Sequence, residues 1–326
     1  MNRIVPPKIV NIELTTFCPL RCPQCYKLFQ NVKDVELNPE TVKHYIEELN
    51  TIGTKKILLS GGEPLSYDGL TGLIRFIRDK NMEVYISTGG VGLDDGYAKR
   101  LKEADVSAVY ISLNGSNEEI NRLSRDGYKA AVEAGNICRE NDIALRINWV
   151  ARGDNCADFK NIISLAESLG VEQIDILMNK HDASNDLCSA VTKEQLVSLA
   201  DFIRNYKGNV NIGIESCYFE LKNATGIKQT SRLLRGCSAG KYSMTINAYG
   251  RVSPCTHADY SIFEELSKYD SLKDYWENSD IVNDFRTTQG KWESCRNCER
   301  REYCEPCKIR KELNCNTYIE EERTGE

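Results

Sequence analysis

A chain of 326 residues, 41% hydrophobic and 28% charged, can bury one sizeable core and has length left for a second, smaller unit, which excludes disorder and a disulfide-stapled miniprotein. A net charge of -6 leaves no global basic field and argues against nucleic acid as the main partner; no run approaches membrane-spanning length, which argues against a membrane. The start, MNRIVPPKIVNIEL, lacks the profile of a secretory signal, so a cytoplasmic location is expected, and fourteen cysteines in a reducing compartment point to metal ligands, catalytic thiols or core residues rather than disulfides.

From about residue 8 to residue 215, short β-branched runs alternate with segments of helical periodicity, the pattern of stacked βα units. Strands are expected at 8–14, 55–60, 82–87, 108–113, 144–150 and 173–178, each ending in a loop rich in Gly, Asn, Ser or Asp. The first helix has Asn38 as its N-cap, Pro39 in its first turn and Gly53 just past its end. Six such units make a parallel, open or incomplete barrel with functional groups in the loops at the carboxyl ends of the strands. Beyond residue 235 the pattern changes to a hairpin around the Asn247 to Gly250 turn, followed by a charged, cysteine-dense stretch.

Directly after the first strand come Cys18, Cys22 and Cys25, spaced CxxxCxxC in one loop. Three thiolates are one too few for a closed tetrahedral site. They suit an iron-sulfur cube held at three corners, with the fourth iron open to a ligand; the alternative is a structural zinc site that draws a fourth ligand from elsewhere. After the second strand comes Ser60-Gly61-Gly62-Glu63-Pro64-Leu65, and after the third Ser87-Thr88-Gly89-Gly90. The fourth strand closes on Ser112, Leu113, Asn114 and Gly115, with Arg125 in the following loop.

These motifs, spread over nearly the whole chain, resemble the radical S-adenosylmethionine (SAM) superfamily. The resemblance implies a partial (β/α)6 barrel of radical SAM type, an α/β fold, with a small C-terminal iron-sulfur domain. It implies a SAM-binding cluster on Cys18, Cys22 and Cys25. Gly61, Gly62, Glu63 and Pro64 would meet the methionine amino group, Ser87 would face the ribose, and Ser112 and Arg125 would grip the methionine carboxylate, a task suited to a guanidinium fork. Gln24 stands where many members place an aromatic residue against adenine. In such enzymes one electron from the reduced cluster breaks a C–S bond of SAM, and the resulting 5′-deoxyadenosyl radical abstracts a substrate hydrogen.

The later cysteines are Cys237, Cys255, Cys295, Cys298, Cys304, Cys307 and Cys315. Spacing alone leaves paired zinc knuckles and auxiliary iron-sulfur clusters both open. The pattern is similar to the SPASM extension of radical SAM enzymes, which implies an outer auxiliary cluster on Cys295, Cys298, Cys304 and Cys315 and an inner one on Cys237, Cys255 and Cys307. That makes three 4Fe-4S clusters in all. The departure is two residues, not three, between Cys304 and Cys307. The fourth position of the inner cluster falls to Cys217, Ser243, a solvent species or a substrate thiolate; a fully ligated cluster would accept electrons, whereas an open iron could bind a substrate sulfur.

The expected domains are a barrel at 1–215, a bridge at 216–236 and the SPASM-like unit at 237–326. Cys138, Cys156 and Cys188 read as packed or idle thiols. Cys217 reads as a ligand or acid/base thiol, and His257 and Asp259, close to Cys255, as proton acceptors that compete with a solvated turn. No zinc-hydrolase spacing, nucleophile elbow or P-loop is present. The resemblance implies an oxidoreductase that modifies a ribosomally synthesised peptide by C–C or thioether cross-linking, served by a one-electron donor such as flavodoxin or ferredoxin. Sulfatase-maturing members carry an Asp directly after the GxxxxC cysteine, where this chain has Thr256. Seventeen residues precede Cys18, so leader recognition is expected from a separate protein or another surface. The alternatives are a radical SAM dehydrogenase of a small molecule such as an aminoglycoside or sugar, and a zinc-stabilised binding module.

Overall fold

Each of the six expected strands forms within one residue of its expected limits: β1 (Ile9–Thr15), β2 (Lys56–Gly61), β3 (Glu83–Thr88), β4 (Ala108–Ser112), β5 (Leu145–Ala151) and β6 (Gln173–Met178). The computed structural model describes residues 4–25, 33–180, 190–226, 236–287 and 307–309. Between the strands lie α1 (Pro39–Ile52), α2 (Leu70–Asp79), α3 (Asp95–Glu103), the short α4 (Glu118–Asn121), α5 (Tyr128–Glu140) and α6 (Phe159–Ser168). The first helix starts as its sequence dictates: the Asn38 side chain accepts the Glu40 N–H at 2.9 Å, and Gly53 ends it at φ 98°. Its buried positions, Val42, Tyr45, Ile46 and Leu49, follow the helical repeat.

The strand count is larger than expected. After α7 (Lys193–Asn205), a seventh strand, β7 (Asn211–Ile214), pairs in parallel with β6. Four residues, one of them glycine, are too few for a legible alternation. On the opposite edge, after α8 (Phe219–Ala224), the expected hairpin forms from β8 (Ser243–Ile246) and β9 (Arg251–Ser253). β8 pairs in parallel with β1, so the hairpin extends the barrel sheet, and β10 (Glu264–Glu265) pairs with β9. Among the described residues the sheet runs β10-β9-β8-β1-β2-β3-β4-β5-β6-β7 and is open. Two helices, α9 (Leu272–Asn278) and α10 (Asp280–Thr287), follow, and α9 packs on α1.

Period-two alternation separates core from site. Val10, Ile12 and Leu14 of β1, Ile57 and Leu59 of β2, and Val84 and Ile86 of β3 belong to the buried apolar core. Asn11, Ser60, Ser87, Ser112 and Asn148, on the other face, line a cavity at the carboxyl ends of the strands. Nearer the amino ends of the same face the barrel carries a polar and aromatic layer: Lys56 pairs with Glu83 at 3.0 Å, and Arg146 donates to the Tyr110 hydroxyl at 2.9 Å. Among the described residues no helix is long and apolar enough to cross a membrane.

Candidate active site

The cavity encloses about 690 Å³ and is bordered by Cys18, Cys22 and Cys25 on one side and by Cys217, Cys237, Cys255 and Cys307 on another. Two glycines allow the first loop to reach it. The Gly62 N–H donates to the Thr15 carbonyl at 2.6 Å and the Glu63 N–H to the Phe17 carbonyl at 2.7 Å, which ties the segment before Cys18 to the end of β2. Leu20, inside the cysteine loop, lies against Gly89 and Gly127. The loop after α4 holds the same segment: the Arg21 N–H donates to the Asp126 carboxylate at 3.1 Å, the Gln24 N–H to the Ser124 carbonyl at 3.1 Å, and the Asp126 N–H to the Cys22 sulfur at 3.4 Å. Burial raises the Cys18 thiol above its ordinary range.

Gly61, Gly62, Glu63, Ser87, Ser112, Arg125 and Gln24 all border the cavity. The Glu63 carboxylate is 1% exposed and bound by the protein itself: it accepts from the Thr88 hydroxyl at 2.5 Å, the Gly89 N–H at 2.9 Å and the Leu65 N–H at 3.1 Å. It thereby braces the ends of β2 and β3, while burial raises its pKa against these hydrogen bonds. Pro64 is buried, opens the short turn Pro64–Ser66 and is not among the lining residues.

The second thiol group assembles from distant segments. Cys217 and Cys307 are hydrogen-bonded to one another, a contact that, followed by burial, holds the Cys217 thiol well above its ordinary range. Burial pushes Cys237 up to about 11 and Cys255 up to about 12. Ser243 lines the cavity too, with its hydroxyl 2.9 Å from that of Ser238. Between the thiols and the strand ends lies an ion pair that the sequence did not reveal: Lys180 Nζ stands 2.6 Å from Glu215 Oε1. The His257 side chain also borders the cavity.

Asp259 is not brought to this site. Its carboxylate is exposed and accepts the Ser261 N–H at 2.8 Å, capping the turn Tyr260–Ile262, and it is not among the residues that border the cavity. Cys138 and Cys156 are buried, and burial pushes both thiols up to about 12. Cys188, Cys295, Cys298, Cys304 and Cys315 lie outside the described residues.

Residues 12–166 match the model of the radical SAM superfamily, and residues 237–299 match that of an iron-sulfur cluster-binding domain, SPASM. The chain carries a radical SAM domain followed by a SPASM domain. Among its curated relatives are an AdoMet-dependent heme synthase of Methanosarcina barkeri, 24% identical over 97% of this chain and 95% of that protein, and a PqqA peptide cyclase of Bradyrhizobium diazoefficiens, 27% identical over 91% of this chain and 80% of that one. In fold it is similar to Streptococcus suis SuiB bound to precursor peptide SuiA, with a TM-score of 0.78 and 16% identity over 94% of this chain and 73% of that one. Radical SAM and SPASM domains imply SAM and iron-sulfur clusters.

The residues present fit those groups. Among the described residues, Arg125 Nε, Gln24 Oε1 and Asn179 Nδ2 are buried without a hydrogen-bond partner, and all three residues border the cavity, so a polar ligand there has donors and an acceptor waiting. No three His, Cys, Asp or Glu side chains among the described residues converge as the ligands of a single ion would. The thiols border one shared cavity, and thiolates are the ligands that an iron-sulfur cluster takes.

Proposed function

We propose that this radical SAM/SPASM protein is an oxidoreductase that modifies a ribosomally synthesised peptide by C–C or thioether cross-linking, using three 4Fe-4S clusters. The observation that carries the reading is that both described thiol groups open onto one cavity of about 690 Å³. Cys18, Cys22 and Cys25 would hold the SAM-binding cluster, and Cys295, Cys298, Cys304 and Cys315 the outer auxiliary one. Cys237, Cys255 and Cys307 would hold the inner one, with Cys217 as fourth ligand. The contact between Cys217 and Cys307 supports that last choice over Ser243, whose hydroxyl is engaged by Ser238. Full ligation favours an electron-accepting role over capture of a substrate sulfur.

When bound, these groups supply a carbon-centred radical and a sink for one electron. The chain's own residues position and shelter. Arg125, with Ser112 on the facing strand end, would take the SAM carboxylate; the backbone of Gly61 and Gly62 would take its amino group, since the Glu63 carboxylate already has three donors. Ser87, which accepts from Asn148 at 3.3 Å, would face the ribose. A substrate site that gives up one hydrogen atom, one proton and one electron loses two hydrogens in total.

The peptide substrate is supported by the likeness to the PqqA peptide cyclases and by the fold shared with SuiB, a protein seen with its precursor peptide. A separate leader-binding protein, a flavodoxin or ferredoxin as donor and a cytoplasmic location complete the proposal. A second reading, oxidation of a small molecule, is favoured by one observation: the heme synthase aligns over 95% of its own length, against 80% for the peptide cyclase.

Anaerobic co-expression with the short open reading frame nearest the gene, followed by weighing of the peptide, separates the two. Loss of two hydrogens per modified site with the unaltered enzyme but not with Cys22→Ala is the expected result. An unmodified peptide from an iron-loaded enzyme that still cleaves SAM would overturn the peptide reading in favour of the small molecule.

A further inference from the structure

Lys180 follows the carboxyl end of β6 and Glu215 that of β7, so adjacent strands deliver the two charges to one wall of the cavity. The Lys180 side chain is 9% exposed and that of Glu215 23%, with Nζ 2.6 Å from Glu215 Oε1, while Glu215 Oε2 accepts the Met178 N–H at 3.0 Å. The pair is therefore tied to the backbone at the end of β6. A buried ion pair is a poor source of stability, since apolar residues of the same volume commonly serve as well, so its placement calls for another explanation. Two residues beyond Glu215 comes Cys217, and Cys237, Cys255 and Cys307 border the same cavity. The Lys180 ammonium has more than its carboxylate partner for a neighbour: the Cys217 and Cys255 side chains border the same cavity.

We propose that Lys180 sets the reduction potential of the inner auxiliary cluster, raising it to accept the electron that leaves the substrate, and that Glu215 moderates the effect by pinning and partly neutralising the ammonium. This rests on the assignment of the inner cluster to Cys217, Cys237, Cys255 and Cys307 made above. The physical reason is Coulombic. One electron added to a thiolate-bound cluster adds one negative charge, and a fixed cation in a poorly solvated wall stabilises the reduced form more than the oxidised form. The electron comes from the oxidised substrate, whose proton departs separately, so charge and atoms balance with the cluster as acceptor.

The test is a spectroelectrochemical titration of the anaerobically reconstituted holoenzyme, read by the electron paramagnetic resonance of the reduced inner cluster. Lys180→Met is expected to lower the reduced-to-oxidised ratio about tenfold at a fixed potential, equivalent to about 59 mV for one electron. Lys180→Arg is expected to restore most of it. Glu215→Gln, which keeps the ammonium and an oxygen to receive it, is expected to shift the ratio the opposite way. Because Lys180→Met strands a half-buried carboxylate and can fail to fold, Glu215→Gln carries the test alone in that event. An unchanged potential in the folded variants, or shifts of the same sign in Lys180→Met and Glu215→Gln, overturns the proposal. Iron and sulfide counts distinguish the levels of failure: a wild-type enzyme without a cluster at these four cysteines sinks the assignment beneath the proposal, whereas a full complement with an unmoved potential sinks the proposal alone.

Discussion

A Cβ on Gly62 would lie 1.9 Å from the Phe17 carbonyl oxygen, and one on Gly61 would lie 2.4 Å from that of Thr15, with Gly61 at φ 130°. Both obstacles are backbone, which cannot rotate aside as a side chain can. Sequence reasoning valued these glycines for the approach of a ligand; the structure shows that the approach of the cysteine loop itself already requires them. Gly62→Ala is therefore expected to cost about 1–3 kcal/mol of stability through overpacking. It is also expected to lower cluster occupancy, because Cys18 follows Phe17 directly; denaturation in urea and iron counts on the reconstituted protein measure the two effects. A variant with full iron and unaltered stability would mean that the loop shifts without cost. Lys180 and Glu215 illustrate the other side: neither belongs to a local motif, and their pairing arises because two strand ends thirty-five residues apart in sequence are neighbours in the sheet.

At the scale of elements, the barrel strands were legible where they lasted five residues or more, and the start of the first helix where Asn38 caps it. β7, with four residues, was not legible, and neither was the parallel pairing of β8 with β1, because local pattern shows that a hairpin exists but not which sheet receives it. The cysteine loop has no regular structure of its own and takes its shape from the segments it rests on. Leu20 is wedged between Gly89 and Gly127, where a Cβ would stand 2.6 Å and 2.8 Å from its methyl carbons. Leu20→Ala removes that wedge but leaves Cys18, Cys22 and Cys25 in place. The expected cost is about 1–2 kcal/mol, below that of a fully buried leucine because the side chain is only half-buried. The expected functional effect is faster loss of iron from the first cluster under chelator, with the auxiliary clusters unaffected. Equal loss from all clusters would show that the change acts through global stability and not through the loop.

At the scale of the whole molecule, the iron-sulfur unit and the barrel share one sheet. Ile9 to Ile12 of β1 pair in register with Ser243 to Ile246 of β8, and Trp276 of α9 donates from its indole to the Val5 carbonyl at 2.9 Å. Glu48 of α1 accepts the Leu272 N–H at 2.7 Å, and Leu272, Tyr275 and Trp276 are all buried. A chain cut after residue 236 would turn β1 from a central strand into an unprotected edge, with its hydrogen-bonding groups open to any other strand. Such a fragment is expected to aggregate or to remain in a large oligomer, with a transition temperature well below that of the full chain; size-exclusion chromatography and thermal denaturation decide the matter. A soluble monomeric fragment with native circular dichroism would show that the barrel stands alone and that β8 merely rests on it. If the fragment fails as expected, the thiols at Cys237, Cys255 and Cys307 owe their place on the cavity wall to the same pairing that completes the barrel sheet. Assembly of the site and folding of the barrel are then a single event, and a substitution that weakens the β1–β8 pairing, far from any cysteine, is expected to lower iron content and stability together.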